Sequence, residues 1–205
     1  MPAPLTTSRS IALARLILGA AVISILLYTY MIGIPAQGAN PFDYFGYFTN
    51  LTSLLTGALL IATGAQVLRG REASTAMHMA RGIAVACMII VAVIYNVVVP
   101  GTGSAPAWVS VALHIAFPTL LVLDWAIVAD RPPLPWRRIW LVLPYPLLWL
   151  AVTLLRGATD GWVPYGFLLP DRGPAQLTTT ALALLVALLL AAVLTWALSR
   201  LPARR

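Results

Sequence analysis

Two side chains in this sequence, a threonine and a histidine, are of the types that carry out nucleophilic acyl transfer. Thr49 and His114 each lie in an apolar stretch, where a polar side chain is costly and suggests a function. An imidazole that removes the hydroxyl proton allows threonine to attack an ester carbonyl, provided that the two groups lie within about 3 Å. The alternative for His114 is a hydrogen bond to a neighbouring helix that serves packing alone.

Thr49 is the first member of a hydroxyl-bearing stripe that recurs at helical spacing. The stripe continues through Thr52, Ser53 and Thr56, and residues three or four apart share one face of a helix. This face must contact other helices or a cavity, because lipid chains offer no hydrogen-bonding partner. Small hydroxyl residues commonly join transmembrane helices, so packing is the alternative to catalysis for the stripe.

Four further polar residues are candidates for binding an oxyanion or another part of a substrate: Asn50, Tyr95, Asn96 and Arg156. The Tyr95 phenol and the Asn96 amide can donate hydrogen bonds to a tetrahedral oxyanion. The Arg156 guanidinium can hold a carboxylate or a phosphate. Structural alternatives remain open: an interfacial tyrosine, an asparagine at a helix end, and an arginine that extends its charge to the lipid headgroups.

Asp124 and Trp125 are interpreted as structural polar residues. Asp124 lies ten positions after His114, which is about 15 Å along a helix. This separation is too large for the carboxylate to orient the imidazole as the aspartate of a Ser-His-Asp triad does. We expect Asp124 to pair with an arginine near the same membrane surface, such as Arg15, Arg81 or Arg137.

The composition indicates a membrane protein. Of the 205 residues, 60% are hydrophobic and 9% are charged, and the mean hydropathy is +0.90, whereas charged residues make up about 25% of a soluble domain. The net charge of +7 is not arranged as the basic stripe with interleaved aromatics that binds nucleic acid. One cysteine and two widely separated histidines predict that the protein uses no metal, haem or other cofactor.

Six apolar runs are long enough to cross a bilayer, which takes roughly 20 residues per helix. The links between them are short and rich in proline and glycine, so none forms a separate domain. The sequence predicts an all-α bundle of six transmembrane helices, in a single transmembrane domain over residues 1–205. The expected spans cover about residues 10–32, 43–67, 77–98, 106–129, 136–155 and 175–198.

The arginines predict the orientation of the bundle. Eleven lie at the two termini and in the second and fourth links, while Arg156 and Arg172 lie on the other side, so the positive-inside rule makes both termini cytoplasmic. Thr49 then lies eight residues after Pro41 and His114 eight residues after Pro106, each about 12 Å in from the outer end, where the two can meet. Pro118 is expected to free a backbone carbonyl near His114 and to widen a cavity at that level.

Seven short motifs follow one another in a specific order and spacing between about Phe42 and Asp171. They are Tyr47-Phe48-Thr49-Asn50, Ile94-Tyr95-Asn96, Leu113-His114 with Pro118, Leu123-Asp124-Trp125, Tyr145-Pro146, Leu155-Arg156-Gly157 and the loop from Trp162 to Leu168. In this pattern the chain resembles the androgen-induced protein and androgen-dependent TFPI-regulating protein family, in its bacterial branch of six-span membrane proteins. The resemblance implies a multi-pass protein of the bacterial plasma membrane.

The same resemblance implies a hydrolase of fatty acid esters of hydroxy fatty acids that uses a membrane-embedded threonine and histidine. The family threonine and histidine match Thr49 and His114. This chain has Thr52-Ser53 where many bacterial relatives have Ser-Asn, and its outer loop also departs from theirs, so the substrate need not be the same.

The sequence therefore predicts a threonine-dependent lipid ester hydrolase whose partners are a fatty acid ester and the bilayer. Two alternatives remain open. One is a lipid-binding or transport protein without catalysis, and the other is a helical scaffold in which the polar residues only pack helices.

Overall fold

The computed structural model describes residues 7–128 and 130–201. Six helices are long and apolar enough to cross a membrane, which confirms the predicted all-α bundle and identifies a multi-pass integral membrane protein. They are α1 Arg9–Gln37, α2 Phe48–Leu68, α3 Thr75–Val98, α4 Ala107–Ile127, α5 Trp136–Thr159 and α6 Pro170–Leu198.

The first helix is longer than predicted. α1 continues through Pro35 to Gln37 rather than ending near Ile32, because a proline so close to the end of a helix removes only one hydrogen bond. Gly38 ends the helix with a φ of 82°, and its N–H donates to the Ile34 carbonyl oxygen. Glycine adopts this positive φ without strain.

The second helix begins later than predicted. A short helix, Pro41–Tyr44, is followed by a turn, and α2 begins at Phe48. Thr49 therefore lies in the first turn of α2, so the predicted depth of two helical turns below the outer end is wrong. The pattern of apolar residues runs through the turn without interruption, which is why it does not reveal the break.

α1 and α2 approach each other closely through small residues. A Cβ atom added to Gly19 would lie 2.4 Å from the Gly57 carbonyl oxygen, and one added to Gly64 would lie 2.5 Å from the Ala12 carbonyl oxygen. Such close backbone packing is one source of attraction between helices in lipid, where hydrophobic burial provides little. It holds the hydroxyl-bearing face of α2 against the bundle.

The hydroxyl-bearing stripe points inward, as its spacing predicted. Thr49, Thr52, Ser53 and Thr56 are all buried. Thr52 Oγ1 shares a hydrogen bond of 2.7 Å with Tyr145 Oη of α5, so this hydroxyl joins two helices. Of the four, only Thr49 lines the large cavity of the bundle.

α3 and α4 each contain a π-helical turn in the half of the bundle where α2 begins. The turn in α3 spans Ile94–Val98 and the turn in α4 spans Ala112–Ala116. π-helical turns are rare and are frequent at functional sites, because the extra residue redirects neighbouring side chains. Here they carry Tyr95, Asn96 and His114.

Candidate active site

One large cavity of about 1080 Å³ opens in the half of the bundle that contains the start of α2. All six helices contribute to its wall, which is mostly apolar. Thr49 and His114 both line it, so the structure brings the two residues singled out by sequence to one space. The other polar residues of the wall include Asn50, Tyr44, Tyr95, Ser110 and Tyr165.

Thr49 is fixed at the N-terminal end of α2. The residue is 9% exposed, and the phenol of Tyr165, in the loop between α5 and α6, lies against its hydroxyl and against the N–H groups of Phe48 and Thr49. Burial raises the pKa of Tyr165, so its hydroxyl remains neutral beside Thr49. The first N–H groups of a helix have no partner within the helix, and Tyr47, which precedes α2, provides no side-chain cap.

The His114 ring is held in one tautomer by its own helix. Nδ1 lies 3.0 Å from the Ser110 carbonyl oxygen. Because a carbonyl oxygen only accepts hydrogen bonds, the neutral imidazole carries its proton on Nδ1, and this assignment leaves the Nε2 lone pair to accept a proton. The ring also stacks on Tyr95, with 3.5 Å between ring centroids and 8° between ring planes.

Pro118 frees a backbone carbonyl, as predicted; the widening of the cavity expected from it stays a prediction. A proline has no N–H, so the carbonyl four residues earlier, that of His114, loses its helical partner. Asn96 Nδ2 of α3 donates to this oxygen at 3.1 Å and to the Ala92 carbonyl oxygen at 2.8 Å. Asn96 thus ties the two π-helical turns together.

The oxyanion role predicted for Asn96 has no support in this geometry. Both Nδ2 hydrogens are engaged by backbone oxygens, and Asn96 is not among the residues that line the cavity. Asn50 does line the cavity, and its Nδ2 donates to the Tyr44 carbonyl oxygen at 2.9 Å. One N–H of the Asn50 amide is thus left over for a substrate.

Tyr44 is a wall residue that sequence reasoning did not single out. Its hydroxyl donates to the Leu26 carbonyl oxygen at 2.8 Å. Burial raises the pKa of Tyr44 to about 12, so the phenol adds no charge to the cavity. Its signal in the sequence is the aromatic run around Phe45, which alone does not separate a cavity wall from an interfacial belt.

Arg156 does not lie in the cavity wall. Its guanidinium pairs with Asp43 and Asp160 at 2.8 Å each and lies over the Trp162 ring. Two carboxylates already accept its hydrogen bonds, so the predicted clamp for a substrate carboxylate or phosphate is not supported. Arg156 instead joins α5 to the segment before α2.

If the chain hydrolyses esters, we expect Arg156→Gln to keep the rate within about threefold of the wild type. Its guanidinium contacts only Asp43 and Trp162 of the cavity wall, and exposed ion pairs contribute only about 0–1 kcal/mol to stability, so the fold should be kept. Initial rates on an ester with a free carboxylate and on its methyl-capped analogue provide the measurement. A loss of more than tenfold confined to the free carboxylate would restore the clamp.

Asp124 and Trp125 have the structural roles predicted for them. Asp124 pairs with Arg15 at 2.9 Å and with Arg81 at 3.0 Å, at the end of the bundle away from the cavity. Trp125 is buried, and its Nε1–H donates to the Thr195 carbonyl oxygen at 2.9 Å. Sequence reasoning missed Asp130, whose buried carboxylate also pairs with both arginines.

The arrangement that acyl transfer would require is incomplete in one respect. Among the described residues, no hydrogen bond joins the Thr49 hydroxyl to the His114 ring, and the two share only the cavity. Catalytic hydrogen bonds are often long in the absence of substrate and shorten once it is bound. The wall therefore supplies a buried hydroxyl, an imidazole with an available Nε2, and apolar space for acyl chains.

Comparison of the chain with protein-family models, curated proteins and solved structures finds no match.

Proposed function

We propose that this chain is an integral-membrane lipid ester hydrolase in which Thr49 is the nucleophile and His114 the base. The observation that carries the proposal is that both residues line one largely apolar cavity while the Ser110 carbonyl leaves His114 Nε2 unprotonated. Membership of the family named above, and location in a bacterial plasma membrane, are part of the same proposal and are supported by the sequence motifs.

The reaction proceeds in two steps. His114 Nε2 takes the proton from Thr49 as Oγ1 attacks the ester carbonyl, and the imidazolium then protonates the departing alcohol oxygen. Water next attacks the acyl-threonine carbonyl while His114 removes its proton. The acid is released, and the proton returns to Thr49 Oγ1. One ester and one water thus give one carboxylic acid and one alcohol.

The developing oxyanion needs hydrogen-bond donors close to Thr49. The N–H groups in the first turn of α2, which have no partner within the helix, and the second Asn50 N–H are the proposed donors, at the positive end of the helix dipole. Tyr165, which contacts Thr49, lines the same wall. These groups replace Asn96 and Arg156 in the proposed mechanism.

The cavity favours a substrate with long acyl chains. Its volume of about 1080 Å³ slightly exceeds the range of about 300–1,000 Å³ for sites that hold drug-sized ligands. Its largely apolar wall removes water from the chains, and Asn50, His114 and Tyr165 are among the polar residues that share the wall with Thr49. Fatty acid esters of hydroxy fatty acids are the first substrates to test, and related acyl esters follow.

The competing function is a carrier that binds lipid in the same cavity without cleaving it. A fluorophosphonate probe separates the two, because it forms a covalent bond only with an activated hydroxyl. We expect labelling of the purified wild type, none of Thr49→Ala, and turnover of at least one ester in a lipid panel. Saturable lipid binding with neither labelling nor turnover would establish the carrier instead.

A further inference from the structure

The two π-helical turns form a support around His114. One ring face of His114 lies parallel to Tyr95 of α3 at 3.5 Å between centroids, its Nδ1–H is held by Ser110, and its backbone carbonyl is held by Asn96. The ring is thus fixed in orientation by α3 and by its own helix α4. Sequence spacing predicted Tyr95 near this level but not a stack.

His114 has no carboxylate to stabilise the positive charge that it acquires during catalysis. Asp43 is the only carboxylate among the described cavity-lining residues, and it pairs with Arg156. The other titratable groups of the wall are phenols, those of Tyr30, Tyr44, Tyr47, Tyr95 and Tyr165. The charge therefore needs another source of stabilisation.

The face of an aromatic ring carries negative electrostatic potential and attracts a cation placed over it. A phenol stacked at 3.5 Å on an imidazole therefore stabilises the imidazolium more than the neutral ring. The parallel geometry also restrains the plane of the imidazole ring, while the Ser110 hydrogen bond restrains which way Nδ1 faces. Both effects come from the ring and neither requires the hydroxyl.

We propose that Tyr95 is a positioning residue that acts through His114, and that its ring face, rather than its hydroxyl, performs this role. This inference rests on the proposed function. It assigns Tyr95 the part that the aspartate plays in a Ser-His-Asp triad, with the Ser110 carbonyl fixing the tautomer. It replaces the interpretation of the Tyr95 hydroxyl as an oxyanion donor.

The kinetic test compares Tyr95→Phe, which keeps the ring face, with Tyr95→Leu, which removes it. We expect the Phe variant to retain kcat within about threefold, and the Leu variant to lose about 10- to 100-fold in kcat with little change in KM, because a misplaced base slows chemistry rather than binding. A Phe variant as slow as the Leu variant would show that the hydroxyl acts. A Leu variant with the wild-type kcat would remove Tyr95 from the mechanism.

A second measurement tests the stack without relying on turnover. Imidazole ¹⁵N NMR of the detergent-solubilised protein, with His114 assigned by comparison with His114→Gln, reports which nitrogen carries the proton. We expect the Nδ1–H tautomer that Ser110 fixes in all three proteins. In the same ¹H–¹⁵N correlation spectra, the carbon-bound protons of the His114 ring should show an upfield ring-current shift in the wild type and in Tyr95→Phe, and lose it in Tyr95→Leu. An unchanged His114 spectrum in Tyr95→Leu would overturn the inference, whereas wild-type protein that cleaves no ester but shows these spectra would overturn the proposed function alone.

Discussion

Thr49→Ala is expected to lower kcat for ester hydrolysis by at least about 10³-fold, because it removes the only atom that forms the acyl bond. KM should change little, since the apolar wall that binds the acyl chains is untouched. Thr49→Ser keeps the hydroxyl, and we expect it to retain measurable turnover. Rates on purified protein in detergent or in lipid nanodiscs provide the measurement.

Thr52→Ala is the matched control for Thr49→Ala. Thr52 belongs to the same stripe, but its hydroxyl shares a hydrogen bond with the Tyr145 hydroxyl and does not line the cavity. Its removal should cost about 0.5–1.5 kcal/mol of stability and leave the rate per folded molecule within about threefold. If both variants lose activity equally, the loss reflects α2 packing and the nucleophile assignment is wrong.

His114→Ala should be as inactive as Thr49→Ala, and the double variant should be no slower than either single one. When two residues act in one step, the losses in kcat caused by their single mutations do not add, because removing either residue already eliminates that step. The other histidine, His78, is buried near Arg81 and does not line the cavity. His78→Gln therefore serves as the histidine control, and a cleanly folded His114→Ala with wild-type turnover would exclude the proposed base.

The features that sequence predicted well are those that depend on periodicity and length. Six apolar runs determine six helices, and the spacing of Thr49, Thr52, Ser53 and Thr56 determines that they share a buried face. The effect of Pro118 was equally predictable, because a missing N–H frees the carbonyl four residues before it whatever the rest of the fold does. Such signals are local, so a single sequence is enough to reveal them.

The features that sequence did not predict depend on which side chains meet across helices. Nothing in the spacing indicates that Arg156 is engaged by Asp43, a residue 113 positions away. The stack of Tyr95 on His114 likewise depends on π-helical turns, which shift the register of two helices by one residue each. Hydropathy does not predict the start of α2 at Phe48, because it does not distinguish a helix from an apolar turn.

Asp130 is the clearest example of a residue that only the structure reveals, and its replacement gives the largest expected effect on stability. Its buried carboxylate pairs with Arg15 of α1 and Arg81 of α3, and it accepts a hydrogen bond of 2.8 Å from Thr7. Asp124 of α4 bonds to the same two arginines. The four charges therefore join three helices and the link after α4 at the end away from the cavity.

We expect Asp130→Asn to destabilise the protein by about 3–5 kcal/mol, because it leaves two buried guanidinium groups facing one carboxylate. For a chain of this length the loss corresponds to a fall in Tm of roughly 10 °C, measurable by thermal unfolding in detergent. Asp160→Asn is the matched control, since Asp160 pairs with Arg156 at the surface, where the solvent screens the pair, and it should leave Tm nearly unchanged.

The dependence of this effect on pH follows from the charges around Asp130. Burial alone would raise the pKa of its carboxyl, but the Arg15 hydrogen bond and the charges of Arg81 and Arg15 outweigh burial and hold the pKa well below its usual range. A carboxyl whose pKa is lower in the folded than in the unfolded state stabilises the fold fully at pH values above its unfolded pKa, which is about 4 for aspartate. This contribution is lost as the pH falls from the unfolded pKa toward the folded pKa. The difference in Tm between wild type and Asp130→Asn should therefore be constant near neutral pH and shrink below about pH 4. A difference that persists unchanged to pH 2, or that is absent at pH 7, would show that the carboxylate does not stabilise the bundle.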